Sequence, residues 1–527
     1  MNPPISSSLL LLAIIMTSPA GSCDVSSMLD TNSRNTNQQW NAFPLLTIGD
    51  QVAGYTPPGR LDGLGAFQLG DKKVQILANH EIAGNDGYTY KLKNGTELSG
   101  ARISFFDVRS DNFQIANAGI AYDAIVDRQG DEVSDAAQIN EGNNGKRGLS
   151  KLCSARSIQA GDFGFVDDIY FAGEEAKQGR SHPHGGSLWA LDVHNRTLHA
   201  LPALGRGAWE NVTPLETGNS NSIALLMSDD TGPAPLYLFI GKKESGSNAA
   251  FLQRNGLNEG QLYCWKSDTG HVNPETFNRT GTLSTGHFIP VKSRLPEEAG
   301  NNGYDRDGYL DSDSLRKSSF DKGCFQFSRP EDLHNDPEHP DQAIFASTGK
   351  GNIHPSDDWG TLYFVAVSFD NSDHNKIAAE LMIAYDSDDD GKRDNGIRSP
   401  DNLTWADNKL VYVQEDKATR LNTFGANGIE SSIWQFDPRT LTAERIAEIN
   451  RKAVFPAGAT DRKPNSTGSW ESTGIIDVTH YFDTLPEETL LLTAVQAHKV
   501  GDGPDISGKQ LVESGQLIFL TNKHGKP

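Results

Sequence analysis

From about residue 40 onward, short apolar runs alternate with clusters of Gly, Asp, Asn and Pro. Residues 74–79 (VQILAN), 168–172 (DIYFA), 187–192 (SLWALD), 234–240 (APLYLFI), 361–368 (TLYFVAVS), 409–414 (KLVYVQ) and 488–493 (ETLLLT) are examples. Each is strand-length, β-rich and bounded by turn chemistry. Helical periodicity is scarce, with residues 441–452 (LTAERIAEINRK) among the few candidates. The pattern predicts an all-β chain.

Four stretches share one plan. Residues 186–201 (GSLWALDVHNRTLHAL), 234–243 (APLYLFIGKK), 360–370 (GTLYFVAVSFD) and 431–446 (SSIWQFDPRTLTAERI) each pair a small residue with an aromatic-containing strand. An Asp-rich hairpin often follows. Such units suit the blades of a β-propeller with inserted loops and short helices, where each small sheet buries a face against its neighbours. An array of β-sandwiches is the alternative. The expected organisation is a signal peptide over 1–22, a linker over 23–40 and a single propeller-like domain over 41–527.

The 69 acidic and 47 basic residues give a net charge of −22, with no basic footprint for nucleic acid. At the N-terminus, an apolar block over residues 9–16 precedes Ser18-Pro-Ala-Gly-Ser-Cys23. That is the form of a secretory signal, and no later run is long enough for a transmembrane span. Residues 20–23 also resemble a lipobox, with Cys23 as a lipid anchor. Of the other cysteines, Cys264 and Cys324 are candidates for a disulfide, which leaves Cys153 as a thiol without a mate.

Acidic residues recur at the ends of the strand-like runs, where a propeller collects side chains in its central channel. They are Glu81, Glu174 and Glu175, Glu210, Asp229 and Asp230, Glu331 and Asp332, Asp401, Glu415 and Asp416, and Glu471. Crowded carboxylates raise one another's pKa, and hard cations such as calcium relieve the crowding by taking six to eight oxygens. Cys153 adds a softer ligand suited to a transition metal. Two Asp-rich loops, Asp305-Arg-Asp-Gly308 and Asp386-Ser-Asp-Asp-Asp-Gly391, read as hairpins or surface calcium loops. The second is not an EF-hand, since Ile397 stands where the bidentate Glu belongs. No phosphate-binding loop, nucleophile elbow or His-Glu-x-x-His motif occurs.

In order along the chain, several short words resemble the PhoX-type alkaline phosphatases. They are Asn79-His-Glu81, the Cys153 segment running into Asp168-Ile-Tyr-Phe-Ala-Gly-Glu-Glu175, and Leu204-Gly-Arg-Gly-Ala-Trp-Glu210 before Ser228-Asp-Asp230. Ser328-Arg-Pro-Glu-Asp332, Ser399-Pro-Asp-Asn-Leu403, Val413-Gln-Glu-Asp416, Glu471-Ser-Thr-Gly474 and Val495-Gln-Ala-His498 follow. The resemblance implies a propeller with a central iron and calcium cluster that hydrolyses phosphate monoesters outside the cytoplasm. It makes Cys153 the iron-ligating thiolate and Glu210 and Glu331 carboxylate ligands. Glu174, Glu175, Asp229, Asp230, Asp401, Glu415 and Glu471 are further ligand candidates. Arg329 is the phosphate-gripping, catalytic residue, with Asn79 and His498 on the substrate side. The twin-arginine signal common in such phosphatases is absent. Two other readings remain: a lactonase-type propeller hydrolase with one calcium, and a non-catalytic, calcium-stabilised secreted propeller that binds partners.

Overall fold

The computed structural model describes residues 26–522 except 71, 141–146, 177–183, 245, 247–248, 370–376 and 419–422. The expected signal peptide and Cys23 lie outside the described residues.

Among the described residues, antiparallel strands group into six blades. Their first strands are Leu61–Leu69, Leu152–Ile158, Trp209–Leu215, Pro330–Asn335, Pro400–Trp405 and Glu471–Asp477. These six pack side by side in sequence, and the last returns to the first, so they line a central channel. Blades three and four also join at their outer edges, where Leu283–Val291 pairs antiparallel with Ile377–Asp386. Blade six is completed by the N-terminal strand Trp40–Thr47 against the C-terminal Ser514–Asn522, which closes the ring with both ends of the chain.

Side chains alternate between the two faces of every strand, so each blade feeds two interfaces. Six apolar clusters result, one per interface. Phe67, Ile103, Tyr170 and Trp189 pack between blades one and two, and Phe171, Trp209, Leu225 and Phe239 between two and three. Trp265, Phe288, Phe345 and Tyr363 fill the next interface. Leu362, Val413 and Phe436 follow, then Tyr412, Ile433, Val495 and Ile518. Ile76, Phe106, Leu492 and Phe519 close the ring.

Within the expected linker, Leu29–Asp30 forms a strand that adds to blade five by pairing with Ile449 and Glu448. One expectation needs correction. Residues 442–449, within the helix candidate, form the strand Thr442–Ile449. Its Ala, Glu and Arg are good helix formers, but tertiary context overrides propensity, and pairing with Ser432–Asp437 buries Ile446, Ala447 and Ile449.

Cys264 and Cys324 form a disulfide across a separation of 60 residues. No helix of the described residues is long and apolar enough to cross a membrane.

Candidate active site

The channel is equipped by one repeated local device. In all six blades the first strand carries a register shift against the second, just inside the strand's start. A β-bulge of this kind re-aims side chains. Asp62, Cys153, Glu210, Glu331 and Asp401 each occupy the second position of a first strand, and Glu471 opens the sixth. A second ring comes from the residue immediately after each second strand: Glu81, Glu175, Asp230, Thr348, Asp416 and His498.

Close approach between blades has a steric requirement. A Cβ on Gly63 would lie 2.4 Å from the Ala155 nitrogen, and one on Gly173 would lie 2.0 Å from the Trp209 carbonyl oxygen. Only glycine lets these bulges nest.

Three groups of ligand-type side chains result, each with its donor atoms within 4.8 Å of one another: Cys153–Glu175–Glu210, Glu210–Glu331–Asp401 and Asp401–Asp416–Glu471. Glu210 and Asp401 are shared, so the groups run as one chain of donors across the channel. Cys153 Sγ donates to Glu210 Oε1 at 3.4 Å. Asp62 lies beside them, its Oδ2 accepting from Gln496 Nε2 at 2.8 Å.

Cations border the cluster. Arg329 donates through Nε and Nη2 to the two oxygens of Asp230, at 2.6 and 2.8 Å. The same Nη2 lies 2.9 Å from Glu331 Oε1. Lys151 bridges Glu81 and Glu175 at 3.4 and 3.6 Å. His498 sits between Glu471 at 3.2 Å and Glu513 at 2.7 Å.

These charges do not balance the acids. Burial, then the Glu331 and Glu175 charges, pushes the Glu210 carboxyl well above its usual range. Burial and neighbouring acids do the same to Asp62, Glu175, Glu331 and Asp401, and they raise Asp416 to about 7. The Cys153 thiol is pushed up by burial and by Asp62. Asp230 is the exception: although burial opposes it, Arg329 holds that carboxyl low. Burial also opposes charge on His498, but Glu513 and Glu471 outweigh it and keep the imidazolium.

Several expected ligands face elsewhere, for one geometric reason: of two consecutive strand residues only one points into the channel. Glu174 turns into blade two, accepting from the Ser150 amide at 3.0 Å and Trp189 Nε1 at 3.2 Å. Asp229 pairs with Arg316 at 2.8 Å and accepts from the Ala208 amide. Glu415 pairs with Arg398 at 2.6 Å and accepts from Trp434 Nε1 at 2.7 Å. Asn79, expected on the substrate side, instead clamps the bulge at Cys153. Its Nδ2 donates to the carbonyls of Cys153 and Ser154 at 2.7 and 3.2 Å. The candidates brought together are Cys153, Glu175, Glu210, Asp230, Arg329, Glu331, Asp401, Glu471 and His498. Glu81 and Asp416, two more of the strand-end acids, join them, as does Asp62, which the sequence pattern does not single out. Of the two Asp-rich loops, the first is a hairpin turn in which Asp305 caps the amides of Asp307 and Tyr309.

A sequence model of the family described as Alkaline phosphatase PhoX matches residues 189–455, just over half of the 527 residues. The chain belongs to the PhoX alkaline phosphatase family. It is therefore a phosphatase-like hydrolase of a metal-dependent family, and that family suggests phosphoester substrates.

Among solved structures, it is similar to Pseudomonas fluorescens PhoX in complex with vanadate, a transition state analogue, at 16% identity and a TM-score of 0.61. That match covers 94% of this chain and 98% of the other and carries the fold. A family 43 glycoside hydrolase, YxiA from Bacillus licheniformis, matches at 8% identity and a TM-score of 0.24, over 88% of this chain and 84% of that one. The second likeness is too loose to compare sites. None of the curated proteins matches the chain.

Proposed function

We propose that this PhoX-family protein is an exported phosphomonoesterase whose channel holds iron and calcium. One observation carries the reading: a thiol and a continuous run of buried carboxylates meet around Arg329. The donor set fits cations. Glu210 Oε2 and Asp62 Oδ1 are buried without a hydrogen-bond partner among the described residues, and such orphans are rare unless a ligand completes them. Raised carboxyl pKa values mark a pocket short of positive charge.

Cys153, with Glu175 and Glu210, would hold the softer ion, iron. The all-oxygen groups, Glu210–Glu331–Asp401 and Asp401–Asp416–Glu471, suit calcium. Bound there, the cations supply the positive charge and Lewis acidity that phosphate ester cleavage demands.

The chain's own residues supply orientation. Asp230 fixes the Arg329 fork through Nε and Nη2, and Nη1 makes none of these contacts. That edge is the one left to grip a phosphoryl oxygen, with Pro330 stiffening the backbone behind it. Lys151 adds a point charge at the cluster's rim, half-exposed beside Glu81 and Glu175. Together they offset the repulsion that a chain of charge −22 presents to a dianionic substrate. Export rests on the apolar block over residues 9–16, and lipid anchoring on Cys23.

The test is release of phosphate from p-nitrophenyl phosphate by protein purified without chelator. The expected result is turnover that EDTA abolishes. Folded, metal-loaded protein that hydrolyses no phosphoester would refute the reading, and lactone turnover with calcium alone would favour the lactonase alternative.

A further inference from the structure

Behind the cluster, the channel continues to the opposite mouth of the ring. The first strands run from the cluster toward that mouth, so a residue three to five positions beyond Cys153 lies roughly 10–16 Å further along the axis. A narrow passage lined by Asn211, Asp332, Leu403 and Ile475 leads into a larger cavity at the far end. The two share Arg156, Ser157, His334 and Ile476, and the larger has a volume of about 380 Å³.

We propose that this far mouth is a second binding site, for a small oxyanion of the phosphate class, gripped by Arg156. Arg156 reaches from blade two past blade three to blade four, where its Nη2 donates to Asn335 Oδ1 at 2.7 Å and its Nη1 contacts His334 Nε2. Its Nε is buried with no partner among the described residues. Among the described residues, no carboxylate forms an ion pair with it. The acid that most influences it, Asp332, is committed to Asn211 Nδ2 and to the amides of Leu333 and Leu403.

Two carboxylate-paired arginines give the contrast; Arg102, Arg128 and Arg445 also lack an ion pair among the described residues, but none of them lines this cavity. Arg316 and Arg398 face carboxylates at 2.8 and 2.6 Å, and their guanidinium charge is reinforced. Burial instead lowers Arg156 to about 10. A buried guanidinium without a counter-ion is unfavourable until an anion enters, and its free N–H groups match an oxyanion's acceptors.

The same cavity offers a further donor in the exposed His480, while Gln159 Nε2 is committed to the Ala66 carbonyl at 3.1 Å and the Tyr481 hydroxyl at 2.8 Å. Asp162, Asp407 and Asp477 sit at the rim. Asp477 already accepts from the Thr479 hydroxyl and the Asp407 amide. The attraction is therefore confined to the inner end, at Arg156. This site lies across the cluster from Arg329 and requires no turnover to bind.

Equilibrium dialysis of the metal-loaded protein against radiolabelled inorganic phosphate tests it. Two classes of site are expected in the parent. Arg156→Gln should weaken one class at least about tenfold, the loss of a charged hydrogen bond, and leave the other unchanged. Arg156→Lys should retain it in part. Gln159→Glu, which adds a carboxylate to the cavity but keeps the arginine, should also abolish that class. A single class in the parent, or both classes intact in Arg156→Gln and Gln159→Glu, would overturn the proposal. Should Arg156→Gln fail to fold, the outcome with Gln159→Glu decides. Loss of phosphatase activity alone would not bear on it, because the readout is binding.

Discussion

Replacing Glu415 by Gln separates the two members of an adjacent acidic pair. Oε1 of Glu415 accepts from the Arg398 amide at 2.9 Å, from Arg398 Nε at 3.1 Å and from Trp434 Nε1 at 2.7 Å. Oε2 accepts from Arg398 Nη2 at 2.6 Å and from the Ser432 amide at 3.0 Å. Both side chains are 0% exposed. Glutamine keeps the shape, but it turns one acceptor into a donor facing other donors and leaves the guanidinium without its main counter-charge. Asp394 at 3.1 Å and two carbonyls remain to Arg398. Breaking such a buried pair from one side costs about 3–5 kcal/mol, a large share of a typical stability of about 5–15 kcal/mol. Urea unfolding of the metal-loaded protein, followed by tryptophan fluorescence, reads the loss. Elemental analysis of the folded fraction should find the parent's metal content. Asp416→Asn should do the reverse, with a smaller loss of stability and a loss of bound metal. If Glu415→Gln sheds metal at unchanged stability, the assignment of which side chain faces the channel is wrong.

Three further outcomes follow from the same geometry. Arg329→Gln should lower kcat/KM about 100- to 1000-fold, the scale of losing one preorganised donor to developing charge, while the metal content stays within that of the parent. Chelation should destabilise the protein more at pH 8 than at pH 5.5. The cluster carboxyls have raised pKa values in the folded chain, Asp416 at about 7. The metal-free folded state therefore holds more protons than the unfolded state and loses stability as pH rises. Thermal melts with and without EDTA at both pH values check this. Away from the cluster, burial lifts Asp357 to about 7. Its contribution should likewise grow less favourable as pH rises from about 4 through 7, and Asp357→Asn should flatten that part of the urea-midpoint profile.

The β-rich character was legible because strand-length apolar runs recur between turns. Blade number was not, since insertions such as the one carrying the helix Ser312–Asp321 make the spacing irregular. Nor could the sequence separate Glu174 from Glu175, Asp229 from Asp230 or Glu415 from Asp416. Within each pair, only the register of the strand end decides which carboxylate meets the channel. Asp62 was overlooked because Leu61-Asp-Gly63 contains a single acid and no acidic neighbour. A signal for it was present: the second positions in Leu61-Asp62, Leu152-Cys153, Trp209-Glu210, Pro330-Glu331 and Pro400-Asp401 are equivalent, and Trp470-Glu471 continues the series. Seeing that equivalence needs the bulges aligned, which no local composition reveals. Asn79 was drawn into the substrate pocket by the word it begins. Its neighbour two positions on, Glu81, is the one on the inner ring.

Anomalous diffraction from crystals of protein purified without chelator addresses the central claim most directly. An iron-edge peak touching Cys153 Sγ is predicted, with calcium density among Glu210, Glu331, Asp401, Asp416 and Glu471. A map with no ion in the channel of an active crystal, its carboxylates bonded only to water and one another, would contradict the account.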